Sequence, residues 1–274
     1  MMNPIGIMQG RLSPPVDGRI QHFPLNWKDE FPRAREAGLH CIEWIYDAET
    51  PTVNPIATDA GIKAIRHNSE RYGVRVLSVC ADYFMAKRLV DSDGKIDSSN
   101  LDRLEWLLER ASLLGARHIV LPFVDSSSLK STKELQGLMK AMRITIPKAE
   151  RSNVEIHLET DLESPALREV LENLSHSSVR MNYDIGNSAS SGYDPSEELT
   201  GLGQWLGSVH VKDRLLGGST VRLGTGSADF ETCFRLIRAN DFHGPFILQT
   251  ARETGLTETE LAMRNREFVM QFLM

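Results

Sequence analysis

The chain has 274 residues, of which 41% are hydrophobic and 25% charged, and its formal net charge at pH 7 is −6. That composition is typical of a soluble globular protein with a sizeable core. The acidic balance argues against a nucleic-acid or anionic-membrane partner, because both would favour a basic face. No stretch approaches the roughly 20 apolar residues that span a bilayer. We therefore expect neither a nucleic-acid nor a membrane partner.

Three cysteines, Cys41, Cys80 and Cys233, occur in apolar contexts without paired spacing. This pattern predicts buried free thiols in a reducing compartment. The first residues, MMNPIGIMQGRLSPP, lack the basic and apolar regions of a secretory signal. We therefore expect a cytoplasmic protein.

Short apolar runs alternate with amphipathic segments along the whole chain. The predicted strands are Ile5–Gln9, Cys41–Ile45, Val74–Cys80, His118–Phe123, Val154–Glu159, Val179–Asp184, Ser208–Val211 and Phe246–Gln249. The segments between them place apolar residues at i, i+3 and i+4. They predict helices at Trp27–Ala37, Asp59–Tyr72, Asn100–Leu114, Thr132–Arg151, Ser164–Asn173, Pro195–Leu206, Phe230–Ala239 and Glu258–Leu273.

Eight strands, each followed by a helix, form the pattern of a (β/α)8 TIM barrel of roughly 250 residues. A doubly wound sheet is the alternative, but it rarely repeats the unit so evenly. No linker or shift in composition divides the chain. The sequence therefore predicts an α/β fold, a single TIM barrel domain spanning residues 1–274.

Four of the later strands carry a polar side chain at their ends: Glu159, Asp184, His210 and Gln249. Because side chains alternate faces along a strand, one rule places all four in the last inward-facing layer. That layer is the rim where barrel enzymes place their chemistry. A metal-free hydrogen-bonded layer is the alternative for any one of them. For two carboxylates and a histidine in one layer the balance reverses, because buried carboxylates repel each other unless a cation or a proton lies between them. This set of side chains favours a divalent metal bound by oxygen and nitrogen ligands.

The order of six motifs resembles a known family. They are GIMQGRLSP at the first strand, CIEW at the second, HLET at the fifth, NYDIGN at the sixth, HVKDR at the seventh and RLGTGSADF after it. Over essentially its whole length the chain resembles the xylose isomerase-like TIM barrels. That group contains sugar and sugar-phosphate isomerases and epimerases, inosose dehydratases and endonuclease IV.

The resemblance implies one divalent ion (Mn2+, Mg2+, Zn2+ or Co2+) bound by Glu159, Asp184 and His210. Gln249 would be a neutral fourth ligand, where the better-known isomerases and epimerases have glutamate. The family's 3-epimerases use glutamates of the fifth and eighth strands on opposite faces of the substrate, and an amide cannot act as a general base. Glu159 is then the expected catalytic base. Lys212 and His157 are the candidates for a second acid/base group, although His157 also fits a purely structural role.

Further polar residues lie at strand ends and are predicted to bind substrate: Gln9, Arg11, Glu43, Asp82, Asn187, Arg214 and Arg252. Many directional donors and acceptors suit a polyol. Arg11 and Arg214 can also bind phosphate through paired contacts, with plain surface solvation as the alternative. We expect a small-molecule sugar or sugar phosphate as partner and, from the resemblance, a homodimer or higher homo-oligomer.

The leading hypothesis is a metal-dependent isomerase or epimerase that removes a proton alpha to a carbonyl and passes through a metal-stabilised enediolate. A dehydratase (lyase) of a keto-polyol such as an inosose is the runner-up, because it needs only one base and a general acid. A non-catalytic sugar-binding barrel is the third hypothesis. An endonuclease IV-like role ranks last, since it calls for more metal ligands and a basic face.

Overall fold

A computed structural model of the protein describes residues 3–16 and 21–273. The strands are β1 Ile5–Met8, β2 Cys41–Ile45, β3 Arg75–Cys80, β4 His118–Phe123, β5 Glu155–Thr160, β6 Val179–Asp184, β7 Leu206–Val211, β8 Asp213–Arg214, β9 Thr220–Val221 and β10 Phe246–Leu248. Eight of them pair in parallel and close a barrel in the order β1-β10-β7-β6-β5-β4-β3-β2. The predicted (β/α)8 barrel is confirmed.

The helices are α1 Glu30–Glu36, α2 Asp59–Tyr72, α3 Tyr83–Ala86, α4 Ser98–Leu114, α5 Thr132–Ser152, α6 Ser164–Leu174, α7 Ile185–Ser191, α8 Pro195–Leu202, α9 Phe230–Ala239 and α10 Glu258–Leu273. Several helix ends follow from local chemistry. Thr58, Asp97 and Ser131 each accept a backbone N–H from the residue three positions further on. Gly73 and Gly115 end α2 and α4 in the left-handed region, with φ of 66° and 87°.

Three features differ from the sequence prediction. The helix predicted to start at Trp27 begins at Glu30, after a turn of 3-10 helix. The helix predicted to reach Leu206 ends at Leu202, where Asn240 donates to the carbonyl of Leu199 at 3.0 Å. Two short helices, α3 and α7, and the antiparallel hairpin β8–β9 follow barrel strands and were not predicted, since such short elements lack a readable period.

The core has two parts. The larger part lies between the strands and the surrounding helices. A second cluster combines buried residues of five strands, namely Met8, Cys41, Leu77, Cys80, Val120 and Ile247. Cys41, Cys80 and Cys233 are buried and unpaired, as predicted. Among the described residues, no helix combines the length and apolarity that crossing a bilayer requires.

Two leucines of α4 test the packing of this core. Leu107 is fully buried, whereas Leu113 is 50% exposed. We expect Leu107→Ala to lower the free energy of unfolding by about 2–5 kcal/mol, because truncation leaves a cavity. Leu113→Ala is the matched control and should change it by less than about 0.5 kcal/mol. Urea unfolding measures both, and equal losses would contradict this assignment of the core.

Candidate active site

Three predicted ligands meet at the C-terminal end of the barrel. Glu159, Asp184 and His210 come from β5, β6 and β7 and are 4%, 5% and 0% exposed. One ligand atom of each lies within 4.8 Å of the others. His210 Nδ1 is 3.5 Å from Glu159 Oε2 and 3.7 Å from Asp184 Oδ2. These atoms face one another at more than hydrogen-bonding distance, as ligands around a shared cation would.

The strands and the turn after β6 explain this convergence. Asp184 and His210 are register partners on neighbouring strands. Asp184 also precedes α7, and its Oδ1 accepts the backbone N–H of Asn187 at 2.8 Å. That bond fixes one carboxylate oxygen and leaves Oδ2 directed towards His210.

Glu43 supports His210 from below. Its Oε1 lies 2.8 Å from His210 Nε2, and Ser78 Oγ donates to its other oxygen at 2.6 Å. Both Glu43 and His210 are fully buried. In the neutral imidazole, donation of Nε2–H to Glu43 leaves the lone pair of Nδ1 on the side of Glu159 and Asp184. Among the described residues, Nδ1 has no hydrogen-bond partner. This donor set fits a divalent cation, and Glu43 orients the ring for it.

The electrostatics of the group also suit a cation. Burial lowers the pKa of His210, but Glu43 and Glu159 outweigh that effect and raise it well above its ordinary value. Burial raises the pKa of Glu159 to about 7. For Asp184 the opposing effects of Lys212 and His210 exceed that of burial, and its pKa is lowered. Without a metal these effects favour the protonated form of His210, and a metal bound at Nδ1 would displace that proton.

Lys212 and Gln249 form a pair beside the triad. Lys212 Nζ donates to Gln249 Oε1 at 2.8 Å and lies 2.8 Å from Asp184 Oδ2. Gln249 Nε2 donates to Gln21 Oε1 at 2.9 Å. The carbonyl of Gln249 is therefore occupied by an ammonium group, and its role as a fourth metal ligand stays a prediction. Lys212 would have to release it first.

Asn187 connects the predicted base to Arg214. Its Nδ2 donates to Glu159 Oε1 at 2.9 Å, and its Oδ1 accepts from Arg214 Nη1 at 2.9 Å. A guanidinium can only donate, so Arg214 holds the amide with its NH2 group towards Glu159. Both residues were predicted to touch substrate, and the structure connects them to Glu159, the predicted base.

A cavity of about 230 Å³ opens above the triad. It is lined by Arg11, Gln21, Asp82, Met85, Pro122, Val124, Asp125, Glu159, Asn187, Lys212, Thr220 and Gln249. Asp82 accepts from Gln21 Nε2 at 2.5 Å, and burial raises the pKa of its carboxyl. This cavity brings four of the predicted substrate-binding or catalytic groups together around Glu159, the predicted base.

Other predicted residues hold the loops of this cavity. Gln9 Oε1 accepts the N–H of Ile45 at 3.0 Å, and Gln9 is 1% exposed. Arg252 donates to the carbonyls of Gly10 and Ser13 at 2.6 and 2.5 Å. Glu43 contacts His210 Nε2 below the triad. The structure thus places Gln9, Glu43 and Arg252 behind the cavity wall.

His157 lies away from this site. Its Nδ1 contacts Ser208 Oγ at 2.8 Å and its Nε2 contacts Glu155 Oε2 at 2.9 Å. It lines a separate cavity at the N-terminal end of the barrel. Two residues of strand separate it from Glu159, about 7 Å, and burial lowers its pKa to about 3. The structure does not bring His157 to the predicted catalytic group.

The sequence prediction missed Gln21 and Glu30. Gln21 bonds to Arg11, Asp82 and Gln249 across the cavity. It lies in the loop after β1, where no periodic pattern marks a functional side chain. Glu30 opens α1 and is 1% exposed. It accepts from Gly10 N at 2.9 Å and Ser13 Oγ at 3.0 Å and so fixes the loop that carries Arg11.

A sequence model of the family described as "Xylose isomerase-like TIM barrel" matches residues 31–271. L-ribulose-5-phosphate 3-epimerase UlaE of Shigella flexneri serotype 5b (strain 8401) is 27% identical over 192 residues, which are 67% of this chain and 67% of the relative.

Two solved structures share the fold. An L-ribulose 3-epimerase has a TM-score of 0.75 and 15% identity, with 99% of this chain and 95% of that chain covered. The IOLI protein, solved with a bound zinc atom, has a TM-score of 0.76 and 14% identity, with 98% of each chain covered. At these identities the likeness shows the fold alone.

Replacing Glu43 tests its support of His210. Glu43→Gln keeps the shape of the side chain but removes the charge that orients the imidazole. We expect affinity for Mn2+ or Zn2+ to fall about 10–100-fold, measured by competition with a chromophoric chelator. Glu155→Gln, on the same barrel but at its other end, is the control. An unchanged affinity in Glu43→Gln would contradict the proposed support.

Glu30 predicts a pH dependence of stability. Burial raises its pKa from 4.5 to about 7. Between these values the folded state binds more protons than the unfolded state, so this group makes stability fall as pH rises, by roughly 3 kcal/mol in total. In Glu30→Gln this contribution to the pH dependence of the free energy of unfolding should disappear, as measured by urea unfolding from pH 4.5 to 7. Glu36→Gln, exposed on the same helix, is the control, and an unchanged slope in Glu30→Gln would refute the prediction.

Proposed function

Because the chain belongs to the xylose isomerase-like TIM barrel family, we propose that it isomerises or epimerises a small sugar or sugar phosphate. The observation that carries the proposal is the buried group of Glu159, Asp184 and His210 directly beneath the 230 Å³ cavity. Polar groups line that cavity on several sides, as recognition of a polyol requires.

The relatives support a sugar substrate and this reaction type. The relative with 27% identity is an L-ribulose-5-phosphate 3-epimerase, and one neighbour of the same fold is an L-ribulose 3-epimerase. Neither name supports the dehydratase alternative. The first of these proteins is named for a phosphorylated sugar and the second for a sugar without phosphate. Association of the chain with further copies of itself stays a prediction.

The donor atoms favour one divalent ion held by Glu159, Asp184 and His210 Nδ1, a mixed set that accepts Mn2+, Mg2+, Zn2+ or Co2+. Zinc in the IOLI structure supports a metal in this fold. When bound, such an ion supplies Lewis-acid polarisation of a carbonyl and an adjacent hydroxyl.

Glu159 would remove the proton alpha to the carbonyl. Its carboxylate lines the cavity, and a carboxylate within reach of the substrate can act as a general base. The Asn187 amide donates to Glu159 Oε1 and holds the carboxylate in place. The electron pair left on carbon is delocalised into the carbonyl as an enediolate, whose negative charge Lys212 can offset.

The second proton transfer distinguishes this chain from a two-glutamate epimerase. Gln249 cannot accept a proton at neutral pH. Lys212, bonded to Gln249 and paired with Asp184, is the predicted acid/base group at that side of the cavity. We assign Lys212 the return of a proton to the enediolate, either to carbon or to oxygen.

Proton exchange into solvent tests the proposal. The protein, loaded with Mn2+, is incubated in D2O with a panel of ketoses and ketose phosphates. We expect deuterium alpha to the carbonyl, detected by NMR, with a product of the same mass apart from the label. Glu159→Gln should lower the exchange rate about 10²–10⁴-fold while metal occupancy is measured in parallel. Glu163→Gln, exposed beyond the same strand, is the control.

Each other outcome assigns a different role. Exchange with loss of water would identify the dehydratase. Binding of a sugar without exchange, in protein shown to hold metal, would leave a sugar-binding barrel. Exchange that persists in Glu159→Gln would remove Glu159 as the base.

A further inference from the structure

A second cavity, of about 460 Å³, opens at the N-terminal end of the barrel. It is remote from the metal ligands, since it is built from the starts of the strands and from the loops at residues 203–207 and 240–245. Its volume lies within the range of small-molecule sites, about 300–1,000 Å³. Nothing in the proposed reaction uses it.

Three arginines line this cavity. Arg75 opens β3, Arg117 directly precedes β4 and Arg180 lies in β6. Within the described part of the chain, the side chains of Arg75 and Arg117 form no hydrogen bond or ion pair. Arg180 lies 3.6 Å from Glu155. One further carboxylate lines the cavity, that of Asp241, and it lies 3.1 Å from His243.

The inner wall of the cavity includes a buried histidine. His118 is 4% exposed, and its Nε2 has no hydrogen-bond partner among residues 3–16 and 21–273. Its ring stacks on that of His157 at 4.0 Å between centroids and 11° between planes. The nitrogens of His157 are both occupied, so His118 presents the unpaired polar group. Buried polar groups without a partner are rare in native proteins.

Arg75 and Arg117 are exposed at the open side of the cavity. Because neither pairs with a carboxylate among the described residues, both guanidinium groups can bind an anion. A guanidinium binds a phosphate group through two parallel hydrogen bonds. We propose that this cavity binds a phosphate group, held by Arg75 and Arg117 at its open side, above the inner wall to which His118 contributes. The site is independent of the proposed isomerase reaction.

Titration calorimetry with inorganic phosphate tests the site. Metal is first removed from the full chain with a chelator, and chloride keeps the ionic strength constant. We expect saturable binding of one phosphate. Arg75→Gln with Arg117→Gln should weaken it at least tenfold. Arg151→Gln with Arg235→Gln removes the same charge from exposed positions and should leave the affinity unchanged.

The remaining outcomes decide against the proposal or identify the ligand. Equal weakening in the two double variants would show non-specific attraction and overturn it. Loss of binding in Arg214→Gln alone would place the phosphate at the upper cavity and also overturn it. Should the first double variant not fold, Arg117→Lys keeps the charge but loses the paired contact, and unchanged affinity there would refute the site. A non-substrate sugar phosphate that binds more tightly than inorganic phosphate would identify an organic phosphate as the ligand.

Discussion

A single buried imidazole, shared by three carboxylates, is the interaction on which the upper end of this barrel depends. His210 contacts Glu43 on one side and faces Glu159 and Asp184 on the other. Carboxylates this close and this buried repel one another unless positive charge is held among them. The imidazolium and Lys212 provide that charge in the metal-free protein, and a divalent ion can take it over with release of the imidazole proton.

Gln249, at the end of the eighth barrel strand, affects the balance of charge around His210. Gln249 contributes no charge, and its carbonyl accepts from Lys212 while its amide donates to Gln21. A carboxylate at this position would add one more negative charge and a second base. With the amide, the positive charge of Lys212 is directed to Asp184 instead. Of the fifth- and eighth-strand positions, the fifth alone carries a carboxylate, Glu159, and the ammonium of Lys212 lies beside the eighth.

The loops over the cavity depend on a second set of buried bonds. Glu30 and Arg252 bind the loop after β1 from both sides, through Gly10 and Ser13. Arg11, held at Thr250 O at 2.9 Å, then faces the cavity with a pKa that burial lowers to about 9. Rigid placement of the polar groups lowers the entropic cost of binding a flexible polyol. The polar groups of the cavity are thus held in place by contacts within the protein.

The sequence by itself determined the barrel and the ring of polar groups at its rim, because both follow from local periodicity. Alternation along a strand is set by backbone geometry, so Glu159, Asp184 and His210 could be assigned to one layer without knowing their neighbours. The sequence pattern could not show which side chains contact one another across the barrel. Glu43 lies far from His210 in sequence, and only closure of the barrel brings them to 2.8 Å.

The tertiary structure alone decided which polar groups line the cavity. His157 lies on the same face of its strand as Glu159. At a rise of about 3.3 Å per residue, however, it lies two residues closer to the N-terminal end of the barrel. Gln21 lies in a loop, and no spacing in the sequence indicates its contacts with Arg11, Asp82 and Gln249. Local periodicity thus identifies the face on which a side chain lies, whereas its depth and its hydrogen-bond partners depend on long-range packing.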